Sequence, residues 1–278
     1  MDQKLDPYKQ IIRWLAIPIL LGFTACTSNE EKAYIERSVN TLYNQAVDAL
    51  EAGDFFEASK YFDEVERQHP YSIWATKGKL LSAYANYEAG KYDDAIMGLD
   101  RFIQLHPGNK DTAYAYYLKA LSFYEQITDV SRDQLATEKA LKALRDVIRR
   151  YPRTKYARDA RLKVDLTRDH LAGKEMSIGR FYLIKKEYIA AINRFRRVVK
   201  QYQTTTHTPE ALHRLVEAYT AIGLRNEAKK AASVLGHNYP GSEWYTDSYK
   251  LMTGIDIKKT VENKKKKGFL SRTWNRIF

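Results

Sequence analysis

Residues 90–107, GKYDDAIMGLDRFIQLHP, repeat a pattern already present at residues 53–70, GDFFEASKYFDEVERQHP. Glycine, an aromatic two positions on, alanine five on and proline seventeen on all return at an offset of 37 residues. A fixed period of this size constrains the fold severely, because it describes helical hairpins that bury their apolar faces only against their neighbours. The expectation is an all-α stack, and the functional question becomes what the stack holds.

Aligned on these prolines, the chain divides into five units. The first, near residues 39–72, carries Ala46, Gly53, Phe55, Ala58, Phe62 and Pro70, and the second, near residues 76–109, carries Ala83, Gly90, Tyr92, Ala95, Leu99, Phe102 and Pro107. These positions resemble those of tetratricopeptide repeats, in which alanines let paired helices approach and larger residues fill the gaps. A third unit, with Ala140, Leu144 and Val147, ends at Pro152, eight residues later than the period requires. The extra length falls at residues 127–137, ITDVSRDQLAT, which reads as an expanded polar loop of the kind on which solenoids bind partners.

Residues 155–185 read as one long helix interrupted only by Gly173. The fourth unit runs through Ile178, Gly179, Tyr182, Tyr188, Ala191, Phe195 and Val198, with Tyr202-Gln203 where a proline pair is expected, and the fifth through Val216, Tyr219, Gly223, Ala228, Leu235 and Pro240. Residues 242–252 suit a capping helix, since the last repeat otherwise exposes its apolar face. The expected fold is thus a tetratricopeptide-repeat solenoid of five helix pairs with a C-terminal capping helix, over residues 38–253.

Composition agrees. Glycine and proline number 13 and 7 in 278 residues, too few for a glycine-rich β architecture, whereas tyrosine reaches 21. The net charge of +12 would suggest nucleic acid or an anionic membrane if it were evenly spread. It is not: residues 258–278 hold eight Lys or Arg against one acid, Glu262, and residues 1–25 contribute +1, so the body carries only +4. A body so near neutrality argues against a nucleic-acid partner.

Residues 1–25 have the order of a secretory signal: a polar segment with basic residues, a ten-residue apolar run at 14–23, then small residues. The only cysteine, Cys26, follows Phe23-Thr24-Ala25, which resembles a bacterial lipobox, although Phe23 stands where a leucine-like residue is usual. Cys26 then becomes the lipid-bearing first residue of a mature chain, with residues 26–37 as a polar tether. More than one acyl chain makes such anchoring stable, each buried methylene contributing about 0.8 kcal/mol. The competing reading is an incidental cysteine.

No catalytic constellation is present. His69 and His106 share one repeat position before proline, and His207 and His213, six apart, fall on different helical faces and form no metal pair. HExxH, GxSxG and phosphate-cradling glycine loops are missing, and nothing indicates a cofactor. Binding is the remaining function class. Tyr43, Tyr84, Tyr87, Tyr117 and Tyr124, with Val47 and Leu80, fall on the first helices of their pairs, the side that lines the concave face in such repeats. Tyrosine offers contact area at low entropic cost together with a hydroxyl, which suits a peptide groove. Packing between repeats is the alternative for each. The basic tail, residues 254–278, also admits two readings: Phe269, Leu270, Trp274, Ile277 and Phe278 oppose Arg272 and Arg276 as in a membrane-surface helix, or the segment is a solubilising tail.

Beyond generic repeat positions, the lipobox, LDRFIQLHP, the inserted SRDQ, KEMSIGRFYLIKKEYIAAINRF and EALHRLVEAYTAIGL together resemble the BamD family of outer-membrane assembly lipoproteins, over roughly residues 26–252. The resemblance implies a non-enzymatic protein anchored on the periplasmic face of the outer membrane. It implies as partners unfolded β-barrel precursors, the POTRA domains of the BamA insertase and accessory lipoproteins. It also makes Arg194, in AAINRF, the counterpart of the family's BamA-facing arginine. Periodicity alone leaves open a different role, a repeat adaptor lipoprotein that docks cell-wall hydrolases or proteases.

Overall fold

The computed structural model describes residues 36–254. Cys26, the signal and most of the tether lie outside the described residues, as does the tail beyond Gly254. Among the described residues there are eleven α-helices and no strand: α1 (Val39–Glu51), α2 (Phe55–Gln68), α3 (Ile73–Glu88), α4 (Tyr92–Leu105), α5 (Thr112–Tyr124), α6 (Leu135–Arg150), α7 (Lys155–Ile184), α8 (Tyr188–Gln201), α9 (Thr208–Ala221), α10 (Arg225–Asn238) and α11 (Glu243–Thr253). They make five antiparallel pairs and a capping helix, a tetratricopeptide-repeat solenoid.

The second helix of each pair is built on one buried row. Ala58, Phe62 and Val65 in α2 are fully buried, as are Ala140, Leu144 and Val147 in α6 and Ala191, Phe195 and Val198 in α8; in α4 the row is Ala95, Leu99 and Phe102. The four-then-three spacing places all three on one stripe of a 3.6-residue helix. In α10 the row keeps Ala228 and Leu235 buried, but its middle member is the small, half-buried Ala232. Gly179 of α7 accommodates the Phe195 ring: a Cβ there would lie 2.8 Å from its Cδ1, closer than packing allows.

Local chemistry sets the ends. Ser38, Ser72, Thr154 and Ser242 accept backbone N–H hydrogen bonds at the starts of α1, α3, α7 and α11 and satisfy donors the helix leaves unpaired. All five second helices stop on a residue with φ between −126° and −134°: His69, His106, Tyr151, Tyr202 and Tyr239. Four of these precede proline, which disfavours the helical conformation in the residue before it. Tyr202 adopts the same geometry ahead of Gln203, so packing holds the turn where proline is missing.

The loop expected at residues 127–137 spans 125–134, because α6 already begins at Leu135 and buries Thr137. The long helix is present: α7 has 30 residues. It serves two neighbourhoods, meeting α5 near its start and α8 near its end. Lys174 of α7 donates to the carbonyls of Ser131 and Arg132 at 2.7 and 3.2 Å, which ties the inserted loop to this helix.

Candidate peptide groove and partner face

A run of tyrosines crosses the first helices of repeats two, three and four. Tyr84 and Tyr87 on α3 are half-buried, and Tyr114 and Tyr117 on α5 lie beyond them. Tyr156, near the start of α7, closes the run with ring centroids 5.6 Å from Tyr114 and 5.2 Å from Tyr117. Tyr117 Oη donates to Asp159 Oδ2 at 2.6 Å. Burial, reinforced by the carboxylates of Glu125 and Glu88, pushes the Tyr87 hydroxyl up to about 12. Burial likewise raises Tyr114, and for Tyr117 the Asp159 hydrogen bond adds to it. The hydroxyls of Tyr87, Tyr114 and Tyr117 are therefore protonated at neutral pH, and that of Tyr117 is already committed to Asp159.

Tyr124 sits at the end of the run. Lys163 lies 4.9 Å above its ring, and Tyr124 lines, with Ile127, Thr128, Leu166 and His170, a cavity of about 320 Å³ between α5, the inserted loop and α7. The loop thus extends the tyrosine surface.

Tyr43 does not belong to it. It is 7% exposed, edge-on to Phe62 at 5.7 Å and against Trp74 at 4.6 Å, and it serves the core of the first repeat. Leu80 is also 7% exposed and buried in the core of the second repeat. Leu80 stands 37 residues after Tyr43 at the same repeat position, and both are buried. Tyr84 and Val47 share a different position one turn on, and both are half-buried. Tyr114, Tyr156 and Asp159 are the members that sequence reasoning missed. Tyr114 lies near the start of its helix and Tyr84 near the end of its own, so no single repeat position collects them.

The other end of α7 carries ions instead of rings. Arg194 is on α8, the second helix of repeat four, and its Nη1 lies 3.2 Å from Glu175 Oε2, while Arg197 Nη1 lies 2.7 Å from Glu175 Oε1. Arg180 engages both oxygens of Glu210 at 3.0 and 2.9 Å, and Arg214 links Glu210 to Glu217 across α9. Burial alone would raise Glu217, but hydrogen bonds from His213 and Arg214 outweigh it and hold the carboxyl below its ordinary range. Arg194 keeps a third of its side chain exposed, so an incoming carboxylate can share it with Glu175. At the turn between α7 and α8, Phe181, Ile184 and Ile189 are exposed, an apolar group of the kind that marks interaction surfaces.

Comparison with known proteins supplies the lineage. Residues 35–235 match the YfiO family, described as outer membrane lipoprotein. A Caulobacter vibrioides protein named outer membrane protein assembly factor BamD is 52% identical over 250 residues, covering 89% of this chain and 82% of the relative. Proteins of the same name from Rickettsia prowazekii and Neisseria gonorrhoeae are 48% and 32% identical, covering 86% and 84% of this chain and 94% of each relative. With the repeat architecture in place and identity this high over this much of the chain, the protein belongs to the BamD family of outer-membrane protein assembly factors.

Proposed function

We propose that this chain is a non-catalytic receptor of the outer-membrane β-barrel assembly machinery, anchored through lipid on Cys26 to the periplasmic face of the outer membrane. Unfolded barrel precursors bind along Tyr84, Tyr87, Tyr114, Tyr117 and Tyr124. BamA, through its POTRA domains, and the accessory lipoproteins bind the C-terminal repeats, with Arg194 and the exposed Phe181, Ile184 and Ile189 on that side.

The observation that carries this reading is the continuous run of half-buried, protonated tyrosines across three repeats. Aromatic contacts contribute about 0.5–1.5 kcal/mol each beyond area burial, and hydroxyls satisfy the backbone of an extended segment. Such a surface holds a precursor loosely enough to release it. Lipid anchoring compensates by raising the effective concentration of receptor and insertase near each other.

The test is fluorescence anisotropy with labelled peptides that end in an aromatic residue, as C-terminal barrel strands do. Tyr84→Ala with Tyr87→Ala is expected to weaken binding at least tenfold while circular dichroism stays unchanged. Binding that survives the double substitution unaltered refutes the tyrosine groove.

A further inference from the structure

Among the described residues, the fifth repeat is followed by a first helix without a second. α11 packs as the first helix of a sixth pair would: Ser248 lies 2.8 Å from His213 Nδ1 of α9, and Trp244 stacks on the same imidazole at 5.2 Å. It ends at Gly254 with φ +73°, the left-handed turn that also follows α1, α3 and α9 at Gly53, Gly90 and Gly223. In those three places a second helix comes next. After α11 there is an open groove of about 510 Å³ between α10 and α11, walled by Ala232 and Gly236 on one side and Tyr245, Tyr249 and Met252 on the other.

This groove is the slot for a second helix. One repeat earlier, the corresponding space against α8 and α9 is filled by α10, whose Ala228 and Ala231 pack with Phe195, Ala211 and Leu215. Two small residues shape the groove. Ala232 stands where the other second helices carry Phe or Leu, and Gly236 lets Tyr245 lean inward, a Cβ there lying 2.6 Å from its Cε2.

The chain that follows starts at the groove's rim, since Met252 and Thr253 line it. Its first part does not suit the slot: five, nine and twelve residues after Gly254, where α2 has Ala58, Phe62 and Val65, stand Lys259, Asn263 and Lys266. The next part does. Leu270, Trp274 and Ile277 have helical spacing, and ten residues in helical form would measure about 15 Å, against a groove that spans residues 229–236 of α10, about 12 Å. The 14 residues 255–268 reach about 46 Å when extended, ample to bring that row back.

We propose that residues 269–278 dock in cis between α10 and α11 as the missing second helix of a sixth repeat. Leu270, Trp274 and Ile277 bury against Ala232, Tyr245 and Tyr249, and the basic linker stays in solvent. The tail therefore closes the apolar end of the solenoid, and any partner of that end has to displace it. This inference stands apart from the proposed function.

The test uses the full chain with a photocrosslinking amino acid in place of Trp274 and, separately, in place of Tyr249. Both are expected to give crosslinks within one chain that join the tail to α10 or α11, in vesicles of phosphatidylethanolamine and phosphatidylglycerol as well as in their absence. The triple variant Leu270→Ser, Trp274→Ser, Ile277→Ser is expected to exchange the amides of α10 and α11 several-fold faster with α1 to α8 unchanged. Transfer of the crosslinks to lipid, crosslinks to a second chain, or exchange in α10 and α11 indifferent to the triple substitution would each overturn the docking.

Discussion

The two ends of α7 join neighbouring repeats in opposite ways. Near its start, Tyr156 and Asp159 meet Tyr114 and Tyr117, and the seam is aromatic with hydroxyl donors. Near its end, Glu175 and Arg180 meet Arg194, Arg197 and Glu210, and the seam is ionic. The cores beneath are alike, with Phe102 and Phe195 in corresponding rows and both almost wholly buried. One scaffold thus presents an aromatic, hydroxyl-bearing seam and an ionic one. Tyrosines keep their donors over a wide pH range, whereas the ion pairs depend on charge and are screened by salt.

The likeness of the cores is the first thing to break. Phe102→Ala and Phe195→Ala are each expected to cost about 3–5 kcal/mol in urea denaturation, as deletion of a buried aromatic does. Similar losses mean that the seams differ only above a common core, and a loss confined to one of them removes that premise.

A smaller effect should separate the seams by pH. The Glu217 carboxyl is held below its ordinary value of 4.5, so its contribution to stability is complete above that pH and is lost as the pH falls through its lower folded-state value. Hydrogen exchange of α9 is therefore expected to accelerate in acid before that of α5, after correction for intrinsic rates, and Glu217→Gln should abolish the difference. Simultaneous loosening of both helices would show that the ionic seam does not govern local stability.

The smallest effect concerns the turn between α7 and α8. Lys186 is at φ +62° where the corresponding turns carry Gly53, Gly90 and Gly223. A side chain there costs roughly 1–2 kcal/mol, and glycine returns part of that through the entropy of the unfolded chain. Lys186→Gly is expected to raise stability by no more than about 1 kcal/mol. A lower midpoint would mean that the lysine contributes contacts worth more than its strain.

Much of this architecture is legible because repetition samples one environment several times. Ala58, Ala95, Ala140, Ala191 and Ala228 occupy one repeat position, and all five are fully buried. The long α7, the inserted loop and the cap follow from hydrophobic spacing and from the lengthened third period. The tyrosine surface was legible only in part. Tyr84, Tyr87, Tyr117 and Tyr124 lie on first helices as expected, but membership of the groove depends on which neighbour each ring meets, and Tyr43 meets Phe62 and Trp74 inside the core.

The sequence by itself determined the periodic scaffold and the lineage, since both are written in residues at fixed spacings along the chain. Tertiary structure alone decided that the first tyrosine is buried while Tyr156 and Asp159 join the groove. It also decided that Arg194 shares Glu175 with Arg197 and that an apolar groove lies between α10 and α11. Those outcomes depend on contacts between helices 19 to 42 residues apart, where side-chain length and the tilt of one helix on the next, rather than position in the period, set what touches what.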